Sequence, residues 1–421
     1  MANSLLTTSK ITREAVRLFV NSNMFLQNVN RQYDDEFGKK GEKIGSQLRI
    51  RLPNDYTVAE GPAASVQDTT EQQTVLTLAT QIHVDVSFST ADLLLSLDDF
   101  SDTILMPAMN NLAGKAATKV MSVVDRGYPT LPNGAPPSPL VATSGGVCNL
   151  VWNVDGSGNL ISPNSGTLLD ANASLNINSA YPGRRKMVLD PRTEARIVNS
   201  LTGLLNPATK ISAQYQSGQI KSGLGYESIF SDQTTIKHTT GTMTTTTVSG
   251  GTQTGYSLSV AAISGTLNIG DIITIQGVLA VNRVTKESTG ELRQFVVTSA
   301  VANGGTTINI YPALTPAVNG NAVQYQTVDV SPTNGATVTQ ALPNTTYRKN
   351  VAYAPEAFTM VTGDLPLPKN VDAARAQYDG VSMRMLTQYQ VGTDQEVSRV
   401  DVLMGALAVR PEWGVGVADI I

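Results

Sequence analysis

Residues 46–89 contain two runs in which apolar and polar side chains alternate, separated by a polar segment that carries glycine, proline and alanine. In the first run, Leu48, Ile50 and Leu52 alternate with Arg49 and Arg51. Alternation with a period of two residues predicts half-buried strands, here the two arms of one long hairpin. The second run has an apolar face of Leu78, Ile82, Val84, Val86 and Phe88 and a polar face of Thr77, Gln81, His83, Asp85 and Ser87.

The predicted hairpin is too long to be stable by itself. Its second run covers ~15 residues, or roughly 50 Å at about 3.3 Å per residue, whereas typical strands have about five or six residues. An isolated two-stranded hairpin is marginal in water. Its apolar face must therefore be covered, either by the body of its own chain or by a neighbouring subunit. The pattern indicates a protein that builds assemblies.

The composition favours a folded, β-rich protein. The chain has 421 residues, enough for two or three domains and a sizeable core. Hydrophobic residues make up 41% and charged residues 15%, which is a folded rather than a disordered profile. Aromatic residues are scarce at 5%, whereas Thr, Ser, Asn, Val and Ala are abundant. This composition is typical of self-associating structural proteins.

The charge of the chain is unevenly distributed. The net charge is −4, which does not suggest nucleic-acid binding by the whole chain. Residues 1–51 carry nine Lys/Arg and five Asp/Glu, a net of +4, so the remainder carries −8. We interpret the basic stretch as an ordinary solvated segment. A weak contact with nucleic acid is the alternative.

The cysteine count and the N-terminus predict a cytoplasmic place of synthesis and use. Cys148 is the single cysteine, so an internal disulfide framework is impossible and a reducing compartment fits. Residues 1–6 lack the apolar core of a signal peptide. No run of 18 or more apolar residues occurs, so we expect no membrane contact.

Four segments have helical patterns. Residues 9–20 form the first, with Ser9 as the predicted cap, and residues 101–126 form a long helix capped by Ser101 or Asp102. Residues 167–178 and the segment after Asp190-Pro191 predict two further helices. The long helix has one apolar stripe, formed by Leu105, Met109, Leu112, Ala113, Ala116, Val120, Val123 and Val124.

The remaining patterns predict strands. Residues 239–247 are nearly all threonine, and from there to about 343 the chain is β-branched and interrupted by glycine, which predicts an inserted all-β module. A hairpin is predicted at 149–158, a short buried strand at 187–189, and a long strand pair at 383–391 and 397–409. Within the module, strands are predicted at 257–260, 272–278, 294–298 and 306–310.

Residues suited to catalysis or metal binding are few. His83 and His238 are the only histidines; we expect His83 on a strand surface and His238 in the threonine-rich junction. No spacing of zinc ligands, phosphate-binding loop or nucleophile elbow occurs. The acidic group Asp98, Asp99 and Asp102 suits a helix N-terminus, with a metal site as the alternative. Residues 184–186 (RRK) predict a solvated turn or an intersubunit ion pair, with a phosphate contact as the alternative. We expect neither enzymatic activity nor a cofactor.

The order of these elements resembles that of tailed-phage major capsid proteins with the Hong Kong 97-like fold. The segments GTLNIGDIITIQG at 265–277, AVNR at 280–283 and QFVVT at 294–298 resemble the inserted β-barrel of P22-type coat proteins. YPGRRKMVLDP at 181–191 resembles the strand-to-helix entry of the axial domain of that family. DVLMG at 401–405 and RPEWG at 410–414 resemble its C-terminal stretch. The stretch 127–167 matches poorly, and its role stays open.

The resemblance implies an α+β fold with five parts. These are an N-terminal arm at 1–45, an extended E-loop hairpin at 46–89, a peripheral domain with the spine helix at 90–128 and 371–421, an axial domain at 129–240 and 343–370, and an inserted β-barrel domain at 241–342.

The resemblance also implies a function. The chain would be a capsid subunit that self-assembles into the pentamers and hexamers of an icosahedral head around double-stranded DNA. Its partners would be its own copies, a scaffolding protein, a portal and, without sequence preference, the packaged DNA. It would be located in the virion after assembly in the host cytoplasm. A tail or fibre protein is the first alternative, and a hydrolase with a β-domain is the second.

We expect intersubunit contacts at two charged groups, one on the hairpin and one on the inserted module. The module group is predicted to form ion pairs between subunits. The ten residues are Arg49, Arg51, Asp55, Tyr56, Glu60, Arg283, Lys286, Glu287, Glu291 and Arg293.

Overall fold

The structure is a computed structural model of the 421-residue chain. It describes residues 7–31, 47–58, 62, 66–69, 71–89, 101–129, 145–200, 223–369, 371–390 and 395–421. The predicted acidic pair at 98 and 99, the predicted turn at 392–394 and residues 130–144 of the stretch 127–167 lie outside these residues.

Six α-helices occur in the described ranges. They are α1 (Thr8–Asn21), α2 (Met24–Asn28), α3 (Met106–Met121), α4 (Val123–Arg126), α5 (Ser165–Ile177) and α6 (Pro191–Ser200). A π-helical turn, Ser101–Leu105, precedes α3, and 3₁₀ turns occupy Pro355–Ala357 and Pro411–Trp413.

The strands are numbered in chain order. They are β1 (Gln47–Arg51), β2 (Gln73–Thr77), β3 (Thr80–Ser89), β4 (Asn149–Val151), β5 (Asn153–Val154), β6 (Leu160–Ile161), β7 (Lys186–Leu189), β8 (Ser228–Ser231), β9 (Ile236–Thr239), β10 (Thr245–Thr247), β11 (Gly255–Ser259), β12 (Ile272–Val281), β13 (Ser288–Val297), β14 (Thr307–Leu314), β15 (Thr337–Gln340), β16 (Thr346–Tyr353), β17 (Phe358–Gly363), β18 (Asp372–Tyr378), β19 (Val381–Gln390), β20 (Gln395–Ala408) and β21 (Gly414–Ile420).

Three larger sheets organise these strands. The outer sheet has the order β17-β20-β19-β18, with β3 also paired to β20. The central sheet has the order β4-β21-β16-β7-β8, with β9 also paired to β16. The third sheet, which we call the β module, has the order β10-β15-β12-β13-β14-β11. Strands β1 and β2 form a two-stranded sheet, and β5 pairs with β6.

The predicted hairpin is extended as expected, but its return arm has two partners. Strand β2 pairs with β1, in the register Gln47 opposite Thr77, whereas β3 pairs with β20 in the outer sheet. The prediction of one continuous hairpin at 46–89 was therefore wrong in its pairing. Every second residue from 74 to 82 stays buried through the change of partner, so one alternating run serves two sheets.

The apolar face of the β1–β2 sheet is covered by its own chain. Ile50 and Leu76 are fully buried and pack against Val361 and Leu407 of the outer sheet and against Val409, which follows β20. Leu78, between β2 and β3, packs against Leu365 and Leu403. Of the two covers that the sequence left open, the body of the same chain covers this part of the hairpin.

The long helix predicted at 101–126 is divided into a π-helical turn, α3 and α4, with an interruption at Ser122. All eight residues of its predicted apolar stripe are buried, which confirms the stripe. The helix ends at Gly127, whose φ of +80° is left-handed and whose backbone N–H bonds to Val123 O. Glycine adopts that conformation without the steric cost that a Cβ would add.

The other helices fall near their predicted bounds, with differences in capping. Helix α1 is preceded by Thr7, with no side-chain cap, so Ser9 was wrongly assigned as the cap. Helix α5 begins with a capping box between Asn164 and Thr167. Helix α6 begins with Pro191, and Asp190 Oδ1 accepts a bond from the Arg192 N–H at 3.0 Å.

Several strands depart from the prediction. The segment 149–154 was predicted as one arm of a hairpin, but only β5 pairs with β6, while β4 runs parallel to β21. The C-terminal pair is confirmed as β19 and β20. Strands β16, β18 and β21 were not predicted, although β16 and β21 lie in the middle of the central sheet.

The β module has its own hydrophobic core. The four predicted strands of the module are confirmed as β11 to β14, and β10 and β15 add two more. The buried apolar residues of this core all lie between Met243 and Val338. A second, smaller cluster joins the module to the central sheet, with Ile272 and Val296 of the module next to Leu150 and Tyr347.

Candidate functional site

Strand β16 carries two adjacent buried cations at the centre of the molecule. Arg348 is 5% exposed and Lys349 is fully buried. Because successive residues of a strand point to opposite faces of the sheet, each cation enters a different layer. A buried charge is costly unless it is paired, so each one defines a cluster of partners.

The Arg348 cluster fastens helix α6 and strand β21 to the central sheet. Arg348 Nε lies 3.4 Å from Asp190 Oδ1, at the start of α6. Asp419 of β21 is fully buried and lies 2.8 Å from Arg196 Nη1 on α6. The Thr193 hydroxyl donates to the other oxygen of Asp419 at 2.7 Å.

The Lys349 cluster is a chain of four ionic side chains, which we call the His238 junction: Asp125, His238, Asp271 and Lys349. Lys349 Nζ lies 2.6 Å from Asp125 Oδ1. His238 Nδ1 lies 3.0 Å from Asp125 Oδ2, and His238 Nε2 lies 2.8 Å from Asp271 Oδ1. The four groups come from helix α4, strand β9, the loop before β12 and strand β16.

Asp271 also organises the base of the β module. Its Oδ2 atom accepts bonds from the Gly241 N–H at 3.0 Å, the Asn268 N–H at 2.7 Å and the Gln340 side-chain amide at 3.0 Å. These donors lie at the entry, the base and the exit of the module. One carboxylate therefore holds the base of the module and links it to His238.

The electrostatics of the junction favour a charged histidine. Burial alone would lower the pKa of His238, but the Asp125 charge and the bonds to Asp125 and Asp271 outweigh it and raise the pKa to about 9. Burial would raise the pKa of Asp125, yet the charges of Lys349 and His238 hold that pKa well below its usual range. Two cations then balance two carboxylates, so the junction is neutral as a whole.

A second set of contacts joins the hairpin to the β module. Asp55 Oδ2 lies 2.6 Å from Arg283 Nε and 3.5 Å from Lys286 Nζ. Tyr325 donates to Asn54 Oδ1 at 3.1 Å. Arg283 also lies 4.0 Å from Glu412, which accepts a bond from the Tyr311 hydroxyl at 3.2 Å.

The ten residues predicted as intersubunit contacts differ in their surroundings. Asp55, Arg283, Lys286 and Arg293 have partners within the chain; Arg293 is 6% exposed and donates to Asn178 Oδ1 at 3.2 Å. Glu60 lies outside the described residues. The exposed members are Arg49, Arg51, Tyr56, Glu287 and Glu291.

The structure also shows the exposure and the partners of three other residues that the sequence analysis considered. His83 is exposed on the surface of β3, as predicted, and lies 3.6 Å from Asp85. Arg185 of the RRK turn is buried and bonds to Asn172, Asn176 and backbone carbonyls of its own chain. Burial raises the pKa of the Cys148 thiol to about 11, so the thiol is protonated at neutral pH.

The described ranges lack two kinds of feature. Among these residues, no group of three or more His, Cys, Asp or Glu is arranged to hold a metal ion. No helix in the described part of the chain is both long and apolar enough to cross a membrane.

The His238 junction was missed by sequence reasoning. Its members are separated by more than 200 positions between Asp125 and Lys349, and no spacing rule connects them. One weak signal existed, since the polar run YRKN at 347–350 leads directly into the apolar stretch VAYA at 351–354. All four of those side chains are buried in the central sheet.

Comparisons with known proteins give one family. The family model described as "P22 coat protein - gene protein 5" matches residues 170–418, more than half of the chain. No curated protein matches.

A solved structure from Mycobacterium phage Che8 is 11% identical, with 94% of this chain and 90% of that chain covered and a TM-score of 0.43. The capsid of the cyanophage P-SCSP1u is 10% identical, with 100% and 91% covered and a TM-score of 0.41. The coat protein I-domain of CUS-3 is 27% identical, with 24% of this chain and 96% of that chain covered and a TM-score of 0.20.

Proposed function

The chain belongs to the P22 coat protein family, and from that premise we propose that its copies assemble into the pentamers and hexamers of an icosahedral phage head. Family membership makes the chain a phage major capsid protein, a structural protein of the virion shell. It also confirms the Hong Kong 97-like fold class predicted from the sequence. The family match over residues 170–418 is the observation that carries the proposal.

The physical features of the chain support a role as a building block. The charged clusters around Arg348 and Lys349 are buried and neutralised by partners, so they stabilise the subunit. Val58 and Val66 belong to residues 56–70, which we call the distal hairpin, and are 92% and 90% exposed. Contact with another copy would remove this apolar surface from water, which is favourable.

We propose that the exposed members of the predicted set make contacts between subunits. Arg49 and Arg51 lie on β1, Glu291 lies on β13, and Glu287 directly precedes β13. Arg51 pairs with Glu71 at 3.5 Å in the same chain, with both side chains more than half exposed. Such exposed pairs contribute little to subunit stability, so their charges are available for a neighbour.

The division of the chain follows the sheets. We propose that residues 241–342 act as an inserted domain, because the chain enters and leaves the β module through the paired strands β9 and β16. The spine helix and outer sheet then form the peripheral part, and the central sheet with α5 and α6 forms the axial part. Compared with the bounds implied by the resemblance, this division moves β17 to the peripheral part and β21 to the axial part.

We propose a scaffolding protein, a portal and packaged double-stranded DNA as partners, with assembly in the host cytoplasm. The net charge of +4 in residues 1–51 suits a non-specific contact with DNA phosphates. The individual contacts between subunits can be weak, because multivalency in a closed shell strengthens the assembly.

Negative-stain electron microscopy of the expressed chain, with sedimentation velocity, tests the proposal. Closed shells of uniform diameter are the expected product. Rods or fibres would favour a tail or fibre protein instead, and a discrete small oligomer would favour the hydrolase alternative.

A further inference from the structure

The β module is connected to the rest of the chain through two paired strands of the central sheet, β9 and β16, which we call the stalk. β9 leads into the module and β16 leads out of it, and the two pair from Ile236 opposite Lys349 to Thr239 opposite Thr346. Beyond these strands, the Thr240 hydroxyl accepts a bond from the Thr345 N–H at 2.9 Å. The two covalent connections therefore lie side by side, and non-covalent contacts must fix the orientation of the module.

The His238 junction lies where this stalk meets the body. His238 and Lys349 belong to the stalk, Asp125 belongs to the end of the spine helix, and Asp271 belongs to the base of the module. His238 is 4% exposed, and both of its ring nitrogens face carboxylates. An imidazole can donate to two carboxylates only when both nitrogens carry protons.

We propose that the proton on His238 is a lock that holds the base of the β module against the spine helix. When His238 is charged, it bridges Asp125 and Asp271. When it is neutral, one ring nitrogen presents a lone pair to a carboxylate, and the junction keeps two carboxylates against Lys349 alone. The charge imbalance then favours separation of Asp271 from Asp125.

Burial and the Lys349 charge lower the pKa of His238, but the Asp125 charge and the bonds to Asp125 and Asp271 outweigh them. Asp125 and Asp271 face the ring nitrogens, and Lys349 approaches only through Asp125. Tyr347 packs against the ring with centroids 5.5 Å apart, and burial followed by the two carboxylates raises its pKa well above the usual value. Tyr347 therefore stays neutral while His238 titrates.

The sign of the pH dependence follows from the raised pKa. The pKa of His238 is about 9 in the folded chain and about 6.5 for an unperturbed histidine. The stabilisation of the locked base is fully present below about pH 6.5 and is lost progressively as the pH rises to about 9. Contacts elsewhere, such as the Gln294 side chain with the Leu150 backbone, keep the module attached while its base opens.

Hydrogen exchange of the unassembled full-length chain tests the lock. The reporters are peptides that contain Gly241 and Asn268, whose N–H groups bond to Asp271. A peptide over β13 and β14, in the core of the module, controls for global unfolding. The measured exchange rates are corrected for the intrinsic pH dependence of amide exchange. We then expect the protection of the reporter peptides against exchange to fall by about tenfold per pH unit between about pH 6.5 and 9. The control peptide should keep its protection.

Two variants complete the experiment. His238→Gln should lack the extra reporter protection already at pH 7 and show no pH dependence, because a glutamine cannot bridge the carboxylates as a cation. His83→Gln changes the only other histidine, which is exposed on β3, and should behave as the wild type does. Reporter protection that stays constant from pH 6.5 to 9.5 in the wild type would overturn the lock, even if His238→Gln fails to fold. This result is independent of whether shells form.

Discussion

Lys349 links the strand at the centre of the molecule to the end of the spine helix. It is fully buried, and its ammonium group lies 2.6 Å from the Asp125 carboxylate. Removal of one member of a buried pair leaves the other charge unbalanced, which costs about 3–5 kcal/mol. The side chain is therefore a structural requirement of the subunit and is unavailable to a neighbour.

We predict that Lys349→Met lowers the free energy of unfolding by about 3 kcal/mol, measured by urea denaturation. Lys237→Met is the matched control, since Lys237 is exposed on the neighbouring strand β9 and surface changes usually stay within about 0.5 kcal/mol. Equal stability of the two variants would show that the ion pair contributes nothing.

Two glycines give a second prediction at the residue scale. A Cβ on Gly405 would lie 2.5 Å from Thr77 O and 2.9 Å from Leu76 Cδ2, whereas a Cβ on Gly114 would meet nothing within 4 Å. Gly405→Ala should force β2 away from β20 and lower stability by about 1–3 kcal/mol. Gly114→Ala, inside helix α3, should raise it by about 0.5–1 kcal/mol. Calorimetry that gives both variants the same sign would contradict these packing assignments.

Residues differ in how far the sequence alone could place them. The apolar stripe of the spine helix could be predicted from the helical spacing of its apolar residues, because their burial requires only that this helix packs against a neighbouring element. The burial of Lys349 could not be predicted, because it depends on Asp125 and His238, which only the fold brings together. Nine of the ten predicted contact residues are charged, and charge alone does not distinguish an internal partner from an external one.

At the scale of elements, the alternating run at 73–89 shows what periodicity specifies and what it omits. The pattern predicted an extended run with one buried face, which the structure confirms through residue 82. The pattern carried no information about partners, and the run pairs first with β1 and then with β20. Strands β16 and β21 were missed because they are buried on both faces and have no alternation.

The contact between the hairpin and the β module gives a prediction for these two elements. Asp55→Arg should place three cations together and release the distal hairpin from the module. Limited proteolysis should then cleave the hairpin faster, in line with a loss of about 1 kcal/mol. Asp55→Arg combined with Arg283→Asp restores an opposite pair and should slow the cleavage again.

Arg51→Ala is the matched control for this prediction, because the Arg51–Glu71 pair is exposed and lies on the hairpin itself. It should leave the cleavage rate unchanged. If the double variant is cleaved as fast as Asp55→Arg alone, the Asp55–Arg283 pair does not hold the hairpin.

The distal hairpin gives a further prediction. Replacement of residues 56–70 by a short Gly-Ser linker leaves β1, β2 and Asp55 in place, so the subunit should fold with an unchanged circular dichroism spectrum. It should fail to close shells, because the exposed apolar side chains of the distal hairpin are gone. Normal shells in electron micrographs of this variant would remove the hairpin from the assembly mechanism.

At the scale of the whole molecule, the chain combines a self-contained β module with a body built on the outer and central sheets. The module has its own core, and the spine helix packs with α1 and the outer sheet in another. The order of elements along the sequence indicated the fold of tailed-phage capsid proteins, and the segments at 181–191, 265–298 and 401–414 narrowed the resemblance to the P22 type. The His238 junction could not be predicted from the sequence, because it depends on how the spine helix, the central sheet and the β module pack against one another.

The most direct test of the central claim is a cryo-electron microscopy reconstruction of the particles formed by the full chain. We predict closed icosahedral shells with five copies around some axes and six around others. In these shells the distal hairpin and its exposed Val58 and Val66 should contact an adjacent subunit. Particles without icosahedral symmetry, or shells in which the distal hairpin faces only solvent, would contradict the account.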